Sequence, residues 1–143
     1  MTLKYGLAAI RITTVAFLAP WIAIKFVNPQ ATQGIAATFY GIEGLPLAGT
    51  YLLGIAQAAL VILFLLGLFK LVSYGSVLVM HGVSTLSTIP VLLAPLENNN
   101  ALFWAAVPTL AAIATLFFLR KEDTFLTVSG GQSQDEQVTS AAQ

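Results

Sequence analysis

Four long runs with almost no charge dominate the sequence: about Tyr5–Phe26, Leu47–Leu68, Tyr74–Pro95 and Ala101–Leu119. Each is roughly 19–22 residues, and at about 1.5 Å of rise per residue a helix over any of them reaches roughly 28–33 Å, the thickness of a bilayer core. In hydrocarbon the backbone must satisfy its own N–H and C=O groups, which helices do and open strands do not. A β-barrel would show shorter segments of alternating polarity, and none is seen. The runs therefore predict four helices. Composition agrees, with 57% hydrophobic and 8% charged residues, against about 25% charged in an ordinary soluble domain. A soluble globule of this size buries only about 70% of its surface, so much of this apolar material would face water. The expected fold class is all-α: an integral membrane four-helix bundle with a short external interfacial helix between helices 1 and 2.

The first run exceeds the 7–15-residue apolar core of a signal peptide, carries Arg11 and lacks an A-x-A site, so it is expected to stay in the mature chain. Lys4, Lys70, Arg120 and Lys121 flank one side of the runs and Lys25 the other. The positive-inside bias then sets both termini in the cytoplasm, in a bacterial inner membrane. Asn28-Pro29 and Gly41 to Pro46 are turn signals around a short interfacial helix at about Ala31–Tyr40. Only a few residues around Lys70 separate the second and third runs, which predicts a tight hairpin. A transmembrane domain over 1–122 and a disordered cytoplasmic tail over 123–143 follow, the tail being rich in Ser, Gly, Gln and acidic residues.

Six basic and six acidic residues cancel, so nothing points to nucleic acid. The absence of cysteine excludes disulfides, thiolate metal sites, iron–sulfur ligation and CxxC chemistry. The partners expected are the bilayer, other membrane proteins and, as an option, further copies of the chain.

Polar groups within the runs are costly, and each asks for a role. Arg11 either snorkels to cytoplasmic phosphates or turns inward to hold an anion or a neighbouring helix, and no run contains an Asp or Glu to neutralise it. Lys25 lies fourteen residues on, near the external interface, where snorkelling accounts for it. Gln57 falls near the middle of the second run beside Gly54 and Ala58, whose small side chains allow close packing. His81 is the only histidine. It shares one helical face with Tyr74, Val77, Ser84, Thr85 and Thr88, a face too polar for lipid. By helical rise, Gln57 falls at the midplane and His81 and Arg11 roughly 5–7 Å toward the cytoplasm. If all three face inward they outline one polar pocket, with Trp104, Pro108 and Thr115 of the fourth run closing it. The candidate ligand-binding set is Arg11, Gln57, His81, Ser84, Thr85 and Trp104, and an apolar cavity with these few polar groups suits an amphiphile such as a quinone. A lone histidine without carboxylate or cysteine partners offers neither a haem nor a metal site. Alternatively, the same groups simply join helices by hydrogen bonds.

The run Arg11-Ile12-Thr13-Thr14-Val15-Ala16-Phe17-Leu18-Ala19-Pro20-Trp21-Ile22-Ala23-Ile24-Lys25-Phe26 resembles the opening of DoxX-like membrane proteins, with an Arg and a Lys fourteen residues apart. Phe39 to Pro46 and Leu53-Gly54-Ile55-Ala56-Gln57 are similar to that family's loop and second helix. The resemblance covers roughly residues 8–95. It departs at Val15 and Ile22, where the family usually has glycine, and at Gln57, where it often has Glu. It implies a compact four-helix membrane protein, some of whose relatives resemble small subunits of quinone-linked oxidoreductases.

The function expected is thus a small membrane subunit associated with a redox complex, contributing a quinone or other amphiphile pocket. The alternative is a structural or assembly subunit that needs no ligand. A transporter or oligomeric channel fits less well, because the runs hold no carboxylate, repeat or paired broken helix. Stand-alone catalysis fits least, because one histidine with a few hydroxyls makes no nucleophile–base–orienter set. No catalytic residue is assigned.

Overall fold

A computed structural model describes residues 2–98 and 100–128. It is all-helical, with no strand among the described residues. The elements are α1 (Thr2–Val27), α2 (Pro29–Tyr40), α3 (Leu47–Leu66), α4 (Lys70–Ser87), the one-turn α5 (Ile89–Leu92), a 3₁₀ turn (Asn100–Ala105) and α6 (Ala106–Phe118). Three segments are long and apolar enough to cross a membrane: Thr2–Val27, Leu47–Leu66 and Asn100–Phe118.

Local chemistry explains the boundaries. Asn28 caps α2 by accepting a hydrogen bond from the Ala31 N–H through its side chain, and Pro29 opens the helix where no intrahelical donor is needed. Gly41, at φ +64°, closes α2. Gly67, at φ +65°, closes α3: its own N–H bonds to the Phe64 carbonyl and the next residue's N–H to the Leu63 carbonyl, a Schellman pair. This makes the hairpin to α4 tight, and α4 starts at Lys70, four residues before the apolar run.

The run Tyr74–Pro95 is not one helix. Pro90 lacks the N–H that would continue the ladder, and the chain breaks at Thr88 before resuming as α5. The fourth run also starts differently from a plain helix. Pro108 sits in the first turn of α6, where its missing donor costs little, and the residues before it tighten to 3₁₀ geometry.

The long helices pack in a ring: α1 on α3, α3 on α4, α4 on α6 and α6 on α1. The core between them is Leu7, Leu18, Val61, Phe64, Tyr74, Val77, Ile113 and Leu116. At Gly54 the ring closes tightly, since a Cβ there would lie 2.6 Å from Cζ of Phe26 on α1. α2 touches α1 and α3, and its Phe39 ring lies 6.0 Å from that of Phe103 in the 3₁₀ turn.

Much of the outer surface is apolar. Of the most apolar window in each of the three long segments, only 28%, 22% and 11% is buried inside the molecule. Leu52, Ile55 and Ile62 on α3 and Leu71, Val72, Val79, Val83 and Leu86 on α4 are exposed. A water-soluble monomer does not present this much contiguous apolar surface. It is compatible with a membrane protein.

Candidate functional site

The most heavily bonded polar cluster is built around Arg11, which is fully buried. α1 carries it to the end of the ring where α3 turns into α4. There Nη1 donates to Oδ2 of Asp123 at 2.7 Å and lies 3.3 Å from the Tyr74 hydroxyl, while Nη2 donates to the carbonyls of Phe125 and Leu126 at 2.7 and 2.9 Å. The Tyr74 hydroxyl itself donates to the same Asp123 oxygen at 2.7 Å. Lys70 Nζ donates to the Asp123 backbone carbonyl at 2.6 Å. Arg11–Asp123 is the one ion pair among the described residues, and Asp123 is fully buried too.

The partner carboxylate thus comes from outside every apolar run. After α6 the chain turns back across the end of the ring as a strap, 122–128, instead of leaving it at residue 122. Thr127 packs on Gly67 so closely that a Cβ at Gly67 would lie 2.5 Å from the threonine methyl. The Phe125 ring meets Tyr5 of α1 edge-on at 4.7 Å. Of the expected tail, Asp123, Phe125 and Thr127 therefore pack against the helices while Leu126 and Val128 keep exposed side chains, and 129–143 lies outside the described residues. The inward alternative for Arg11 is the one observed, and its anion is intramolecular.

His81 belongs to a second cluster. It is buried on α4, seven residues from Tyr74 and so about 10 Å along the axis. Its Nε2 lies 3.1 Å from the Ala106 carbonyl at the start of α6, and Phe17 stands edge-on to the ring at 5.6 Å. Thr85 is buried and donates to the His81 carbonyl at 2.8 Å, a local helical bond. Ser84 is half-buried. Trp104 is exposed, and its indole N–H donates to the Leu92 carbonyl at 3.1 Å, fastening the 3₁₀ turn to α5. Gln57 is half-buried on α3, and no hydrogen bond to its amide is present among the described residues.

The six expected residues therefore do not form one hydrogen-bonded cluster. Arg11 is committed to the strap, His81 and Thr85 to the α4–α6 contact, and Trp104 to α5. A groove of about 430 Å³ lies elsewhere, along Leu71, Val72, Gly75, Ser76, Val79 and Met80 on another face of α4.

Asp123, Lys70 and Gly67 were not among the expected site residues, and Tyr74 was expected only as part of a polar face. A signal for Asp123 exists in the sequence. An Arg inside an apolar run needs a carboxylate, and of the six acidic residues only Glu122 and Asp123 lie just beyond an apolar run at its Lys70 end, separated from it by Arg120 and Lys121.

Comparison with protein-family models, with curated proteins and with solved structures finds no match.

Proposed function

We propose that the chain is a small integral membrane protein, a four-helix bundle of the DoxX-like kind, that serves as an accessory subunit of a larger membrane complex. On this reading α4 is the fourth span. Its average hydropathy is lowered by residues that face inward, such as Ser73, Tyr74, His81 and Thr85, while Leu71, Val72, Val79, Val83 and Leu86 on its outer face suit lipid or a partner helix. The excess of Lys and Arg near Lys70 orients that end, with both termini, toward the cytoplasm of a bacterial cell. α2 then lies at the opposite, external interface. The DoxX-like resemblance makes a quinone-linked redox complex the expected host.

The observation that carries the subunit reading is where the interior polar groups spend their hydrogen bonds. Arg11, Tyr74, Asp123 and His81 bond to groups of this same chain, whereas the outer surface is broad and apolar. That division favours assembly over chemistry. A second reading, an amphiphile or quinone pocket, is favoured by the half-buried, unbonded Gln57 amide.

Purification from native membranes in mild detergent, followed by mass spectrometry, tests both. Stoichiometric association with a larger complex is the expected outcome. A free protein of 15.1 kDa carrying bound quinone would overturn the subunit reading in favour of the second, and Gln57→Leu would then abolish the quinone.

A further inference from the structure

The Arg11 cluster divides into a host and a guest. The host belongs to the packed helices: Arg11 on α1, Gly67 at the end of α3, and Lys70 and Tyr74 on α4. Tyr74 is fixed independently of the strap, since it is fully buried and its ring packs on Phe64 with centroids 4.7 Å apart. The guest is a non-helical segment that supplies one carboxylate and three carbonyls, those of Phe125 and Leu126 to Arg11 and that of Asp123 to Lys70.

The guest fits imperfectly. The Asp123 carboxylate touches the guanidinium only through Nη1, and both Arg11 Nε and Asp123 Oδ1 are buried without a hydrogen-bond partner. Leu126, which supplies one of the carbonyls, is held at φ +54° with its side chain exposed, a conformation that L residues adopt at a cost. Two host cations converge on Asp123, Arg11 at its carboxylate and Lys70 at its backbone carbonyl. A carboxylate free to reorient would engage Nε and Nη together, the bidentate geometry for which a guanidinium is shaped.

We propose that Arg11 and Tyr74 form a carboxylate-binding pocket at the Lys70 end of the helices, which the chain fills with its own Asp123, and that the pocket accepts a small external carboxylate once the Asp123 side chain is withdrawn. The ligand is of acetate size, because the pocket fully encloses an aspartate side chain. This inference is independent of the subunit reading and survives its failure.

Chemical rescue tests it in the full-length protein. Asp123→Ala leaves Arg11 buried and unpaired, and its melting midpoint in detergent falls by about 10 °C. Adding sodium acetate or formate restores about half of that loss or more, in a saturable manner, and sodium chloride at equal ionic strength does not. Wild-type protein shows no such response. Asp123→Asn, whose amide still fills the space, is also insensitive to acetate, as is the double variant Arg11→Gln/Asp123→Ala. If Asp123→Ala does not fold in chloride, expression and extraction in acetate recover the monodisperse protein. Equal effects of acetate and chloride on Asp123→Ala, failure of acetate to recover a non-folding variant, or equal rescue of the Asn variant would each overturn the pocket.

Discussion

The pairing of Arg11 with Asp123 makes a quantitative claim that a double-mutant cycle measures. Arg11→Met removes the charge and keeps a long flexible apolar stem. Asp123→Leu removes the carboxylate and keeps a similar shape. Both side chains are fully buried, so either single change strands the opposite charge away from water, at a cost of about 3–5 kcal/mol. Together they strand no charge. What remains lost is the bonding to the Phe125 and Leu126 carbonyls and the Asp123–Tyr74 contact, at about 1 kcal/mol each and so roughly 3 kcal/mol in total. The double variant is then about as stable as either single, although the two single losses sum to roughly 6–10 kcal/mol. The assay is reversible unfolding in mixed micelles with rising denaturing detergent, followed by helical circular dichroism and by the fluorescence of Trp21 and Trp104. Single losses below about 1 kcal/mol, the scale of an exposed ion pair, would refute the buried pairing. So would a double loss equal to the sum of the singles.

Three further outcomes follow from the same geometry. Gly67→Ala meets both the left-handed backbone at φ +65° and the Thr127 methyl at 2.5 Å, so it destabilises by about 1–3 kcal/mol. Gly54→Ala, which has an ordinary helical backbone and meets chiefly the swinging end of Phe26, with Lys25 Cβ at 3.2 Å, costs less, and unfolding midpoints that reverse this order contradict the strap's position. His81→Phe keeps the edge-on contact with Phe17 but loses the bond to the Ala106 carbonyl, a loss of about 1 kcal/mol in the same unfolding assay. A neutral substitution would remove that bond from the account. The chain has no cysteine, so Thr2→Cys and Leu96→Cys report sidedness directly: an impermeant maleimide added outside intact cells labels position 96 and not position 2. The reverse pattern inverts the proposed orientation.

The helical content and the three long apolar segments were legible in sequence, because hydrophobic length acts locally: twenty apolar residues in a row define a helix of bilayer length whatever they pack against. The turns at Asn28-Pro29 and Gly41 were legible for a similar reason, since capping and left-handed backbone depend on one or two residues, whereas Gly67 falls inside the run Leu47–Leu68 and ends α3 two residues early. Pro90 also carries a local warning against one continuous helix over Tyr74–Pro95, a warning that hydrophobicity alone does not register. The site was only half legible. Arg11 announced itself as a charge that had to be compensated, but the compensation lies 112 residues along the chain, in a segment whose polar composition resembles a tail. Composition describes a segment's average preference for water and is silent on one aspartate held by a preformed arginine. Arg11 and His81, expected at similar depth, are both buried but bond to different partners, since depth along a helix axis does not say which group a side chain meets. Which helices touch, which groups meet between them and where the chain doubles back are settled only when the ring closes, because burying a charge is tolerable only where the rest of the fold has already brought its partner.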